Sequence, residues 1–275
     1  MAALLALAAS ALWGTADFLG GLSAQRRPAV AVGFVSQAIA AAAVLAFVAA
    51  AGRFDGWGAY LLWGAAAGVV GLLGLVCLYR ALADGTMGVV APIAATGVIV
   101  PVVVGFASGE RPTPFQIAGI ILSIAGVVLV SVSEISSVPL RRRSIFLALV
   151  AAVCLGAVLV FLARGGETSV PMTLLAQRVT GVAFMAIPAL VGGGLRKLRW
   201  RETATFAGIG LTDVSANGAF ALASTMGLLS LTATLSSFYP VMTAVLARIV
   251  LGQRLRRVQL GGVLVVIAGV VLITV

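Results

Sequence analysis

The sequence predicts an all-α integral membrane protein: ten transmembrane helices arranged as two inverted five-helix repeats. Three observations carry that reading. Hydrophobic residues make up 61% of the chain and charged residues 9%, with a mean hydropathy of +1.18; a soluble domain of this length needs a charged surface. Apolar runs of about 20 residues, enough to cross a bilayer, recur from end to end between short connectors rich in breakers. The second half also restates motifs of the first at consistent spacing.

The spans justify themselves in order. Residues 2–22 have no basic stretch before them and continue for a full crossing, so they read as a retained first helix and not a cleaved signal peptide. "QRRP" ends that span, and residues 29–51 follow, closed by "GRFDGWG". Residues 58–82 carry "GAAAGVVGLLG" (64–74), a small-residue face that lets neighbouring membrane helices approach closely. Residues 87–106 contain Pro101 and end at "SGERPTP"; residues 114–133 end at "EISSVPLRRRS". The second set runs 144–164, 172–192, 203–223, 226–250 and 257–275, with "RGGETSVP" and "GGGLRKLRWRE" after its first two members. No connector could house a soluble domain, so the division falls into residues 1–135 and 136–275.

Composition excludes several chemistries. Histidine is absent, which removes histidine proton relays, Ser-His triads and His-ligated metals. Cys77 and Cys154 fall inside apolar runs and read as small packing residues, not as a disulfide or metal pair. No cofactor and no metal are expected. A net charge of +10 would point to nucleic acid in a soluble protein. Here the basic residues lie between apolar runs, where they fix orientation or meet anionic headgroups, so no nucleic-acid partner is expected.

The repeat rests on particular residues. In "GERPTPFQIAGIILSIAGVVL" (109–129) and "GQRLRRVQLGGVLVVIAGVVL" (252–272), Gly109, Arg111, Gln116 and Gly119 match Gly252, Arg254, Gln259 and Gly262. "IAGVVL" is identical in both copies. Upstream, "TMG" recurs at Thr86 and Thr225, and Pro101 matches Pro240. Five helices per copy send the second copy into the membrane upside down. Inverted repeats of this kind mark secondary transporters, with a site near the bilayer midplane.

These features, with the "ALWG" opening and a "G-E-R" turn leading to "Q-x-x-G", resemble the drug/metabolite transporter superfamily, EamA type. The resemblance covers the whole chain. It implies a membrane carrier of small metabolites or drugs, often an exporter. The second copy departs from the usual turn: Gln253 stands where the family generally has Glu, so a helix-boundary role fits Glu110 better than an essential charge.

Orientation has two indicators that disagree. Connectors after odd-numbered spans hold Arg26, Arg27, Arg80, Arg141, Arg142, Arg143, Arg196, Lys197, Arg199, Arg201, Arg248, Arg254, Arg256 and Arg257. Those after even-numbered spans hold Arg53, Arg111 and Arg164. The positive-inside rule therefore puts both termini outside, whereas the resemblance implies both inside.

Three ionisable residues lie well within spans: Asp17, Arg178 and Asp213. Such residues face the bundle interior or a wet cavity and are functional hypotheses by default. Trp13 and Asp17, four apart, share a helix face. Asp17 could exchange a proton for substrate or lock the first helix. Arg178 follows Gln177, with Gln37 at the comparable place in the first half; it could grip a substrate anion or pair with Asp17 or Asp213. Asp213 and Asn217 make span eight the most polar, as a cavity wall or as interhelical glue. Ser236, Tyr239 and Pro240 lie in "SSFYP", where Pro240, like Pro101, interrupts the helix ladder and can expose backbone to a site.

Together these predict a secondary active transporter, exporting a small metabolite, amino acid or drug by proton-coupled alternating access. Its setting is a lipid bilayer, taken as the bacterial inner membrane, with monomer or homodimer left open. Nothing resembles a phosphate-binding loop. The alternatives are a non-transporting scaffold subunit and, last, an intramembrane transferase, which would need clustered acids that the sequence does not supply.

Overall fold

The computed structural model describes residues 1–24, 27–84, 87–131, 142–191, 202–252 and 256–274. Among them every regular element is helical: α1 (Ala2–Ala24), α2 (Ala29–Ala50), α3 (Ala59–Asp84), α4 (Met87–Ala95), α5 (Ile99–Ala107), α6 (Pro114–Ser131), α7 (Arg142–Val191), α8 (Thr203–Met226), α9 (Leu229–Ser236), α10 (Tyr239–Leu251) and α11 (Arg257–Thr274). A 3₁₀ turn, Thr96–Val98, joins α4 to α5. Arg26, Arg141, Arg196, Lys197, Arg199, Arg201, Gln253 and Arg254, on which part of the orientation and turn readings rest, lie outside the described residues.

Eight described segments are long and apolar enough to cross a membrane, where the sequence reading draws ten helices. Large side chains such as Leu62, Ile121, Ile187, Ile249 and Leu264 stay exposed on their outer faces. Only a lipid solvent makes that arrangement favourable for so many apolar groups. The count differs for two reasons. The polar α8 is less apolar than the other spans, and α7 joins two of the sequence's spans, with Ser169 the one non-helical residue in the connecting stretch "RGGETSVP". A straight helix of 50 residues would span about 75 Å, far beyond a hydrocarbon core of about 30 Å. Ser169 divides it: its backbone leaves the helical region, with φ −154° and ψ 102°. Gly165 then lies against the Thr173 side chain. Eight residues apart in a straight helix would leave them about 12 Å apart, so the two arms fold back on each other.

α3 packs along both arms through its small-residue stripe. A Cβ on Gly68 would sit 2.7 Å from the Gln177 carbonyl, and one on Gly74 would sit 2.9 Å from Cys154 Cβ. The two interrupted spans break upstream of their prolines. Pro lacks an N–H and its ring clashes with the carbonyl four residues back. For Pro240 that carbonyl belongs to Ser236, the last residue of α9; for Pro101 it belongs to Gly97, inside the 3₁₀ turn.

The matched motifs have matching roles. Gly109 and Gly252 both adopt left-handed backbone, φ 91° and 67°, which glycine enters without strain. Gln116 accepts from the Thr113 amide (3.0 Å) and Gln259 from the Arg256 amide (3.0 Å), so each closes the first turn of its helix. α6 and α11 then pack antiparallel: Gly119 lies against the Gly269 carbonyl, and Gly126 against Gly262 and the Val266 amide.

Candidate functional site

Close backbone approach brings polar side chains together in the middle of the bundle. Gly210 of α8 lies directly on the Ser36 carbonyl of α2, where any side chain would collide. That contact sets Gln37 beside Asp213. Gln37 Nε2 donates to Asp213 Oδ2 at 3.2 Å. Arg178, from the second arm of α7, donates through Nη1 to the same Asp213 oxygen at 2.6 Å and to Gln37 Oε1. Asp213 is thus Arg178's partner, and not Asp17, the other acid open to it on sequence grounds.

A second chain of bonds runs one helical turn away. Trp13 Nε1 donates to Asn217 Oδ1 at 2.8 Å, and Asn217 Nδ2 donates to Gln177 Oε1 at 3.1 Å. Trp13 also packs on Phe220, ring centroids 5.9 Å apart. The two glutamines therefore hold two polar residues of α8, Gln37 at Asp213 and Gln177 at Asn217.

Asp17 is exposed, and it makes no hydrogen bond among the described residues. It stands within electrostatic reach of Asp213 and of Tyr239. It borders a partly open cavity of about 360 Å³. Trp13, Asp17, Gln37, Gln177, Arg178, Asp213, Asn217, Ser236 and Tyr239 all line that cavity. Ser236 Oγ is committed to the Ala6 carbonyl at 3.2 Å. Pro101 and Pro240 do not border the cavity; they place the breaks whose neighbours, Gly97, Val98, Ser237 and Tyr239, do.

The apolar wall escaped residue-by-residue reading. Gly68 and Gly71 of α3, with Leu72, Leu75, Leu155 and Leu159, close one side. The stripe of small residues was its sequence signal, since a helix face without bulk leaves space as well as contact. Glu110 has a sharper role than a general boundary residue. Its carboxylate accepts from the amides of Leu229 (2.5 Å) and Ser230 (3.0 Å), the first residues of α9. A carboxylate there satisfies orphan donors and meets the positive end of the helix dipole. At the same end Arg164 donates to Ser108 Oγ at 2.7 Å and pairs with Glu167. At the opposite end Arg27 pairs with Glu202 at 2.9 Å.

A larger space of about 820 Å³ lies on the other side of α8, between α2 and the Ser169 turn. Its lining is mainly apolar (Val44, Phe47, Leu174, Val214 and Leu222 among others), and none of the sequence candidates borders it.

The sequence profile of the EamA-like transporter family matches residues 1–132 and 142–275. No curated protein matches. One solved crystal structure of a protein superimposes with a TM-score of 0.81 at 19% identity, over 99% of this chain and 96% of that one. At that identity the likeness shows a shared fold.

Proposed function

Because the chain belongs to the EamA-like transporter family, and is thus a membrane transporter of the drug/metabolite type, we propose that it works by secondary, proton-coupled alternating access and exports a small molecule. One observation carries the reading: ionisable and polar side chains from α1, α2, α7, α8, α9 and α10 converge on a single cavity inside an apolar bundle. Charges are costly there unless they are paired, as Arg178 and Asp213 are, or face a wet path or a ligand, as Asp17 does in this reading.

In this reading α9–α10 and α4–α5 are the paired broken helices of two inverted repeats, residues 1–135 and 136–275. The α6–α11 seam supports the symmetry. Matched glycines meet crosswise, 119 with 269 and 126 with 262, as a two-fold axis in the membrane plane requires. Substrate enters the cavity between the repeats. Asp17, open to the cavity, carries the proton; Asp213 is held by Arg178 and Gln37 and orients the site. The Glu110 cap on α9 and the Arg27–Glu202 pair lie at opposite ends, where alternating access needs contacts that form and break in turn.

The test is metabolite profiling of cells and medium with wild type, Asp17→Asn and Asp213→Asn at matched membrane levels. A compound that leaves faster with wild type than with empty vector, and not with Asp17→Asn, is the expected result. Equal profiles for all four, together with no proton movement in proteoliposomes given those metabolites, would overturn it.

A further inference from the structure

We infer that the cavity receives a small organic carboxylate on the Nε/Nη2 edge of Arg178. The inference rests on the transporter reading of the same cavity and names its ligand class.

A guanidinium offers five N–H donors in a fixed planar fork. Arg178 spends Nη1 on Gln37 and Asp213. Its Nε and Nη2 are buried and have no hydrogen-bond partner among the described residues. The residue is 3% exposed and is among those that line the cavity, so a ligand reaches this edge when the side chains over it move aside. Buried donors left unmade are costly, and more so on a charged group. The Nε/Nη2 edge is a shape that a carboxylate meets with two parallel bonds. Ser123 Oγ and Ser230 Oγ are also buried without partners, but neither residue borders the cavity.

The surroundings select a carboxylate over a phosphate. Among the described residues that line the cavity Arg178 is the sole Lys or Arg, and a dianion would call for a second cation. The volume of about 360 Å³ sits at the low end for small-molecule sites. Leu72, Leu75, Leu155, Leu159 and Trp13 provide room for an apolar body.

Charge balance adds a condition. Asp17, Asp213 and Arg178, all ionised, sum to one negative charge. A carboxylate brings a second, so one positive charge must come with it. The source is either an ammonium group on the ligand, facing Asp17, or a proton on Asp17. Among the described residues Tyr239 is the one further titratable side chain beside Asp17 on the cavity wall.

The experiment uses the full chain in nanodiscs. Thermal stability is read with acetate, butyrate, phenylacetate and phenylalanine, each against its carboxamide, and with inorganic phosphate and chloride. We expect at least one acid to stabilise, its carboxamide to do so at least tenfold more weakly, and Arg178→Lys, which keeps the charge but not the fork, to lose that preference. NMR of the ¹³C-labelled carboxylate bound to wild type provides a second readout should Arg178→Lys not fold. Phenylalanine acting without proton uptake assigns the positive charge to the ligand. Phenylacetate acting with uptake of a proton, abolished in Asp17→Asn, assigns it to Asp17. The proposal is overturned if no acid of the series binds, if amides or phosphate bind as well, or if Arg178→Lys keeps the preference. Flux without a carboxylate preference sinks the anion site alone. Carboxylate binding without flux sinks the transport reading alone.

Discussion

The α6–α11 seam and the central cavity come from the same repeated sequence and have opposite characters. At the seam the copies agree: "IAGVVL" is identical in both, and matched glycines pack crosswise with their backbones in contact. At the cavity they differ. With the offset of 140 that relates Gln37 to Gln177, Asp17 falls on Ala157, Arg178 on Ala38 and Asp213 on Leu73. Each of these cavity-lining charges therefore occurs in one copy alone. A symmetric contact constrains both copies through one geometry, because a Cβ on either side strikes the other's backbone. A charge needs a single partner, and a second set would add carboxylates without cations. Packing thus holds symmetry where the copies touch, and electrostatics breaks it where the site forms.

The largest effect expected to sharpen this contrast is Asp213→Asn. It leaves the buried Arg178 guanidinium without its carboxylate, and such loss costs about 3 kcal/mol. Thermal melting should fall by that equivalent, and flux should fall by more than tenfold. The double variant Arg178→Gln, Asp213→Asn removes both charges and should regain most of the stability and none of the flux. Regained flux would show that the pair is structural glue alone.

Gly126→Ala tests the other side of the comparison. Its Cβ would lie 2.8 Å from the Val266 amide and 2.9 Å from the Gly262 carbonyl, and neither backbone can turn away. Overpacking of this kind costs about 1–3 kcal/mol. Melting should fall while flux per folded molecule stays unchanged. A change in turnover at constant folded amount would mean that the seam moves during transport.

Much of this was legible in the sequence because membrane insertion demands long apolar runs and tolerates few exceptions. Asp17, Arg178 and Asp213 stood out for that reason, and Trp13 followed from its spacing. Their pairing was not legible: Arg178 faced two acids, and the choice depends on Gly210 drawing α8 onto α2 at Ser36, a contact no local pattern encodes. The helix breaks were assigned to Pro101 and Pro240, but a proline removes its bond four residues upstream, so the chain bends at 96–98 and 237–238. The fold-back of α7 is legible as the breaker-rich "RGGETSVP", but its compression to a single non-helical residue, Ser169, is not.

Glu110→Gln bears on the same contrast at an intermediate scale. The turn glycine beside it is repeated in both copies, but the acid is not, with Gln253 as its counterpart. A neutral amide can still accept from the Leu229 and Ser230 amides, yet it loses the charge–dipole term, and cap losses run about 0.5–2 kcal/mol. We expect a fall in melting near the lower figure, and slower hydrogen exchange should be lost first at the α9 amides. Unchanged exchange there would remove Glu110 from any part in holding that end of the bundle.

Trp13→Phe should have the smallest effect on stability and is the most specific probe of the cavity. The substitution keeps an aromatic ring against Phe220 and deletes the Nε1 donor to Asn217. Interhelical hydrogen bonds in membranes average about 0.6 kcal/mol, so melting should barely change. Asn217 would keep its bond to Gln177 but lose the one that fixes its carbonyl. Asn217 and Asp213 sit one turn apart on α8, so a freed Asn217 loosens the wall opposite Asp17 without disturbing the Arg178 pair. The expected signature is a weaker apparent affinity with a nearly unchanged maximal rate. If the maximal rate falls instead, Trp13 acts on the conformational step, and the divergent half of the comparison would include movement as well as binding.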